Sequence, residues 1–160
     1  MDDSAFQSLI GRLDYPMFIV TTVGRGERSG CLLGFGTQTS IDPARFLACI
    51  SDKNRTYRVA QGATHMAVHL VPEDCGDLAE LFGGETGDEE DKFAECDWHE
   101  GPEGLPLLDG CPTWFAGRIL ERLPLGDHVG HLLEPSGGHD AGDDWLGFQR
   151  AMQIEPGHEA

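Results

Sequence analysis

Residues 15–39 read YPMFIVTTVGRGERSGCLLGFGTQT, and the reading of this stretch decides the fold. Tyr15 to Val23 is rich in aromatic and β-branched residues, and Gly24-Arg25-Gly26 supplies a turn. Extended character resumes from Ser29 to Thr39, so the stretch predicts a β-hairpin. Gly24, Gly26 and Gly30 also imitate the spacing of a dinucleotide fingerprint, which must open a helix aimed at a pyrophosphate. Cys31 to Thr39 has no helical periodicity, so these glycines serve the hairpin.

Outward from the hairpin, Phe6, Leu9, Ile10 and Leu13 recur at helical spacing and predict a short amphipathic helix that ends before Pro16. Phe46 to Ser51 and His65 to Val71 read as strands separated by a short helix over Asn54 to Gln61. Asp77 to Phe82 reads as another helix, with Leu78, Leu81 and Phe82 on one side. Pro112 to Leu123 and His128 to Glu134 are strands joined by the turn Pro124-Leu125-Gly126-Asp127. Pro135 to Asp144 reads as a mobile loop, and the tail from Trp145 as a last strand or a segment packed on a partner. Five or six strands with short helices and 22 glycines predict a mainly β chain, a compact antiparallel barrel with helices outside it.

The 160 residues suit one domain. Against 11 Lys and Arg stand 28 acids, a formal charge of −17 that repels nucleic acid and anionic lipid. No nucleic acid or membrane partner is expected. The apolar stretches fall far short of a bilayer span and the N-terminus carries no signal pattern, so a cytoplasmic protein is expected. The five cysteines are odd in number and form no CxxC pair, which predicts reduced thiols and neither a disulfide framework nor a zinc knuckle.

Charge is uneven along the chain. Residues 1–60 hold seven Lys or Arg against six acids, while residues 73–103 hold thirteen acids and only Lys92 as a base. An anionic ligand therefore belongs to the first third of the chain, and the acidic stretch reads as a solvated helix-and-loop face. Lys53-Asn54-Arg55-Thr56 lies between a strand and a helix, where free N–H groups, a hydroxyl and two cations can converge on a monophosphate. The same residues also read as a capped surface helix with two solvated charges, and taken alone they leave both readings open.

Histidines carry less. His65 and His69 stand four apart on a strand, about 13 Å from each other, and His128 and His131 point to opposite faces. No metal site is expected. No GxSxG elbow, Walker loop or catalytic carboxylate pair appears, and Cys31 reads equally as a packing or a reactive thiol.

An ordered set of segments carries a resemblance. It runs from Pro16-Met17-Phe18-Ile19-Val20-Thr21-Thr22 through Ser29-Gly30-Cys31 and Gln38-Thr39-Ser40-Ile41-Asp42-Pro43 to Asn54-Arg55-Thr56. It continues with Met66-Ala67-Val68-His69-Leu70, Asp91-Lys92-Phe93 and Gly126-Asp127-His128. In order and spacing this set resembles the flavin reductase-like family of FMN-binding split barrels, over about residues 10–134.

The resemblance implies an antiparallel, Greek-key-like split β-barrel over residues 1–134, with residues 135–160 as an acidic loop and tail of the same domain. It implies a homodimer holding FMN at the subunit interface. The ring would lie on Leu33, Gly34, Phe35, Gly36, Gln38, Thr39 and Ser40, and the phosphate near Lys53, Asn54, Arg55 and Thr56. His128 becomes a candidate catalytic residue through the match alone, near flavin or nicotinamide. The implied activity is hydride transfer from NADH or NADPH to flavin, with free flavin, a small-molecule acceptor or a partner monooxygenase taking the electrons onward. The alternative is a flavin carrier or sensor without turnover. This chain departs from the family pattern at Leu32 to Gly36, where small hydroxyl or amide residues are common, at Ala44 in place of a second proline, and at His69 in place of a strand asparagine.

Overall fold

Arg25 and Gly26 both take positive φ, 51° and 81°, the geometry of a two-residue turn whose twist matches the strands it joins. They connect β1 (Phe18–Gly24) to β2 (Glu27–Leu33) in the expected hairpin. The structure, a computed structural model, describes residues 3–84 and 91–153. The extended stretch Ser29 to Thr39 is not one strand. It breaks at Gly34 into β2 and β3 (Phe35–Ser40), and β3 pairs with β4 (Arg45–Ser51) instead of β1.

The main sheet has seven antiparallel strands in the order β2-β1-β5-β8-β9-β4-β3, with β5 at His65–Leu70, β8 at Trp114–Pro124 and β9 at His128–His139. β2 and β3 are its two edges, yet only Gly34 separates them in the chain. The sheet therefore curls until its edges approach. Cys31 and Leu33 of β2 share an interior cluster with Ala48 and Ile50 of β4. Helix α2 (Arg55–Ala60), capped by Asn54, adds Ala60 to the same cluster. This is the mainly β, short-helix class that the sequence predicts.

Residues 135–139, expected as loop, instead continue β9 against β8. A Cβ at Gly138 would lie 2.4 Å from the Trp114 carbonyl oxygen, so the pairing there depends on a residue without a side chain. The tail also departs from expectation. Among the described residues it forms no strand but single bridges, Trp145 to Pro72 and Gly147 to Pro16, followed by α4 (Phe148–Ala151) packed on its own chain. Residues 154–160 lie outside the described residues.

A second layer covers the outer face of the sheet. α3 (Gly76–Gly84), a 3₁₀ turn at Lys92–Ala94 and a ribbon of β6 (Trp98–Glu100) and β7 (Pro106–Leu108) supply it. The acidic stretch is thus only partly solvated: Phe93 is buried, and the buried Lys92 ammonium donates to the Phe82 carbonyl at 3.0 Å. Residues 85–90 of that stretch lie outside the described residues. The N-terminal helix α1 (Ser4–Ile10) forms as expected but buries no residue, and Phe6 is 61% exposed. Among the described residues, no helix is long and apolar enough to cross a membrane.

Two layers explain β5. Met66 and Val68 enter the interior cluster, while Ala67 and His69 face the outer layer. His69 is completely buried; its Nδ1 lies 2.9 Å from the Ile19 carbonyl and its Nε2 accepts the Leu108 N–H at 3.1 Å. A carbonyl only accepts and an amide N–H only donates, so the ring is neutral with its proton on Nδ1. It ties β1, β5 and β7 together. Burial holds its pKa down at about 4. The unfolded chain binds the proton first on acidification, so this contribution to stability is intact above about pH 6.5 and is lost as the pH falls toward 4. We expect the wild-type protein to lose about 2 kcal/mol more stability between pH 7 and pH 5 than His69→Gln does. Urea unfolding of both proteins at the two pH values measures the difference, and equal losses would refute the assignment.

Candidate functional site

The β2–β3 junction, the end of β4 and the start of β9 meet at one cavity of about 290 Å³. Strand register brings them there: Ser51 pairs with His128, and Phe35 pairs with Cys49 two residues earlier on β4. The Phe35 ring therefore stands beside the His128 ring, with centroids 4.8 Å apart and planes tilted by 51°. Met17, Leu33, Gly34, Asn54 and Phe148 complete much of the lining. Five of the residues singled out from sequence, Leu33, Gly34, Phe35, Asn54 and His128, thus share one wall system.

His128 is held on one side. Its Nδ1 lies 2.7 Å from Asp127 Oδ1, and the hydrogen bond from His128 keeps the Asp127 carboxyl below the ordinary range. The Asp52 N–H donates to the Asp127 carbonyl at 2.9 Å, which ties the start of the basic corner to the His128 end of the cavity.

The corner itself is ordered by internal bonds. Lys53 N–H donates to Ser51 Oγ at 3.3 Å, Asn54 N–H to the Ser51 carbonyl at 3.0 Å, and Asn54 Oδ1 accepts the Thr56 N–H at 2.8 Å as an N-cap. Thr56 is fully buried and its hydroxyl pairs with Ser29 Oγ at 2.8 Å. Arg55 reaches the hairpin tip, donating to the Arg28 carbonyl at 3.1 Å and Glu27 Oε2 at 3.2 Å. Neither Thr56 nor Arg55 lines the cavity. Much of the corner is committed to holding its own shape.

Gly36, Gln38, Thr39 and Ser40 run away from the cavity along the edge strand β3. Gly36 packs under the Phe46 ring, and the Gln38 amide bonds the Ser40 carbonyl at 3.2 Å beside an irregularity in the β3–β4 pairing. The Gln38 and Thr39 side chains are exposed and Ser40 is half-buried.

Sequence reasoning missed the far wall. Phe148 and Ala151 of α4 line the cavity because the tail folds back on residues 11–17. Phe148 stacks on Tyr15 at 4.6 Å and its N–H donates to the Tyr15 carbonyl at 2.8 Å, while Gln149 Nε2 donates to the carbonyls of Gly11 and Leu13. The only linear signal was an aromatic residue in a polar tail. Cys31 and Cys49 also line the cavity, but burial pushes the Cys31 thiol up to about 11 and raises that of Cys49. Both are neutral packing groups rather than nucleophiles.

The donor set suits a planar, partly polar ring. Met17, Leu33, Phe35 and Phe148 offer apolar faces, while the Gly34 backbone, Asn54 and His128 offer polar atoms at the edges. At about 290 Å³ the cavity is at the small end of ligand sites.

Comparison with known proteins places the chain in a family. The chain is 28% identical over 141 residues to the stachydrine N-demethylase reductase subunit Stc3 of Rhizobium meliloti, covering 86% of this chain and 60% of that one. It is 30% identical over 128 residues to the FMN reductase (NADH) RutF of Methylorubrum extorquens, covering 80% of this chain and 62% of that one. The chain spans about half the length of the curated relatives it matches first. The NADH:FAD oxidoreductase SgcE6 of Streptomyces globisporus superposes with a TM-score of 0.82 at 22% identity, over 92% of this chain and 90% of that one, a likeness of fold. Residues 10–150 match the flavin reductase like domain, and the chain belongs to that family.

Proposed function

We propose that the protein is an FMN-dependent oxidoreductase of the flavin reductase type, passing hydride from NADH or NADPH to flavin. The observation that carries this reading is the meeting of Gly34, Phe35, Asn54 and His128 at one cavity in a chain of this family. Bound flavin would supply the hydride acceptor. The protein's part is to hold two flat rings face to face and keep water out, which needs apolar walls and edge hydrogen bonds rather than a strong acid or base. Met17, Leu33, Phe35 and Phe148 suit the first task, and the Gly34 backbone, Asn54 and His128 the second. The names of the relatives, an FMN reductase, a demethylase reductase subunit and the reductase component of a flavin-dependent monooxygenase, favour FMN and a partner monooxygenase. Five free thiols fit a reducing compartment such as the cytoplasm.

Homodimerisation is part of the proposal. An open, largely apolar groove of about 600 Å³ lies on β5, β8 and β9, walled by Phe18, Val68, Leu70, Trp114 and Phe115. A second copy laid over this face would bury it.

Three outcomes are expected. FMN added to the apoprotein loses fluorescence on binding, and NADH or NADPH then bleaches its visible absorption; binding without bleaching would favour the carrier reading, and no binding at tens of micromolar would remove the flavin function. Lys53→Ala weakens FMN by about tenfold and leaves riboflavin nearly unchanged, since an ionic contact to phosphate is lost. Arg55→Ala does less, because its guanidinium already serves Glu27 and the Arg28 carbonyl. Equal losses for FMN and riboflavin would put the phosphate elsewhere. Sedimentation at micromolar concentration gives twice the mass of one chain, and dilution to monomer releases FMN. A monomer with full flavin affinity would refute the shared site.

A further inference from the structure

Two thiols meet in the outer layer, away from the candidate flavin cavity. Cys75 closes the turn that opens α3, its N–H donating to the Pro72 carbonyl at 3.1 Å. Its Sγ donates to the Gly110 carbonyl at 3.4 Å, and that carbonyl belongs to the peptide unit leading into Cys111. By standard bond lengths the Cys111 Cα lies about 2.8 Å from the carbonyl oxygen, which puts the Cys75 sulfur no more than about 6 Å from it. Packing holds the two segments together here: a Cβ on Gly110 would lie 2.5 Å from Leu78 Cδ1, so α3 seats directly on the residue before Cys111. A disulfide needs its sulfurs about 2 Å apart, a gap that rotation of the two side chains and a small approach of the 72–75 turn would close. The two thiols differ in access. Cys111 is completely buried in the outer core, whereas Cys75 is half-buried and lines an open polar cavity of about 660 Å³ together with Gly110 and Pro112. Cys96, the third thiol packed in this layer, does not line that cavity. A small polar oxidant entering the cavity therefore meets Cys75 first.

We infer that Cys75 and Cys111 form a peroxide-sensitive pair, in which hydrogen peroxide oxidises Cys75 and Cys111 resolves the product to an intramolecular disulfide. The Cys75 thiolate attacks one peroxide oxygen; an S–O bond forms, the O–O bond breaks, and the departing hydroxide leaves as water with the proton the thiol gave up. Cys111 then attacks the Cys75 sulfur, the S–O bond breaks, and its oxygen leaves as a second water with the Cys111 proton. Two thiols and one peroxide thus become one disulfide and two waters. Reduced flavin left in air passes its electrons to dioxygen and makes this oxidant, so a flavin reductase meets it at its own surface. The surroundings set the pace. Burial, then the charges of Asp74, Asp77 and Asp143, raise the Cys75 pKa, and Glu73, Asp144 and Arg150 line the same cavity. Burial pushes the Cys111 thiol up to about 12. Thiolate is scarce at both sulfurs at neutral pH, so both steps are slow there and the oxidised Cys75 persists long enough to trap.

The test treats the reduced protein with hydrogen peroxide and maps its peptides without reducing agent. The expected product has lost about two hydrogens per chain, carries a Cys75–Cys111 crosslink within one chain, and returns to the starting mass with dithiothreitol. Dimedone, which traps sulfenic acids, labels Cys75 when present during the oxidation. The rate of crosslinking rises at least about tenfold from pH 7 to pH 8 as thiolate forms. In Cys111→Ala the dimedone label on Cys75 increases and no crosslink forms; in Cys75→Ser neither label nor crosslink appears. The map of the wild-type protein decides the matter if either variant fails to fold. A crosslink that takes in Cys96, Cys31 or Cys49 would overturn the inference. So would a crosslink between chains, a dimedone label on Cys111 ahead of Cys75, or thiols that all survive peroxide unchanged. None of these outcomes depends on bound flavin, so the flavin reductase reading stands or falls separately.

Discussion

The chain passes from one edge of a seven-stranded sheet to the other through a single residue, Gly34, and the rest of the structure follows from that constraint. Two edge strands joined without a loop cannot stay on opposite sides of a flat sheet. The sheet must curl, and curling encloses the interior cluster around Val20, Leu33, Ile50, Val68 and Leu133. It also removes much of the exposed edge that open sheets leave available for aggregation. The junction is itself a wall of the cavity, so the feature that closes the barrel also builds the candidate site.

Curling leaves the outer face of β1, β5 and β8 to be covered, and the middle of the chain supplies the cover. Ala67, Leu105, Leu107 and Ala116 form one patch of this outer core, and Ile19, Phe82, Phe93 and Leu108 belong to a larger one. Polar groups caught between the layers are satisfied individually. Thr21 Oγ1 donates to the Pro106 carbonyl at 2.6 Å, and His69 bridges Ile19 to Leu108. These bonds fix how the ribbon sits on the sheet, because a shift would leave buried donors and acceptors unpaired.

At the site, electrostatics and packing divide the labour. The protein is strongly acidic, yet the basic corner begins where the Asp52 N–H donates to the Asp127 carbonyl, at the end of the cavity. Leu33 and Phe35 put apolar walls where the family pattern has hydroxyl and amide groups, and the polar side chains of the lining are Ser51, Asn54 and His128. The folded-back tail completes the cavity with Phe148, which makes chain ends more than 130 residues apart in sequence part of one wall.

By itself the sequence determined what short-range chemistry controls. The Gly24–Gly26 turn, the Asn54 cap, the strands over 45–51 and 65–70 and the helices over 55–60 and 76–84 were legible because turns, caps and side-chain periodicity act within a few residues. The ordered motifs also led to Leu33, Gly34, Phe35, Asn54 and His128. Tertiary structure alone decided what depends on distant partners. It broke the long strand at Gly34, drew residues 135–139 into β9, buried Phe93 within an acidic stretch and turned Thr56 and Arg55 toward β2. It also placed Phe148 against Tyr15. Each of those outcomes follows from a pairing or a contact made across the fold, and a local pattern of residues holds no record of which distant surface will cover it.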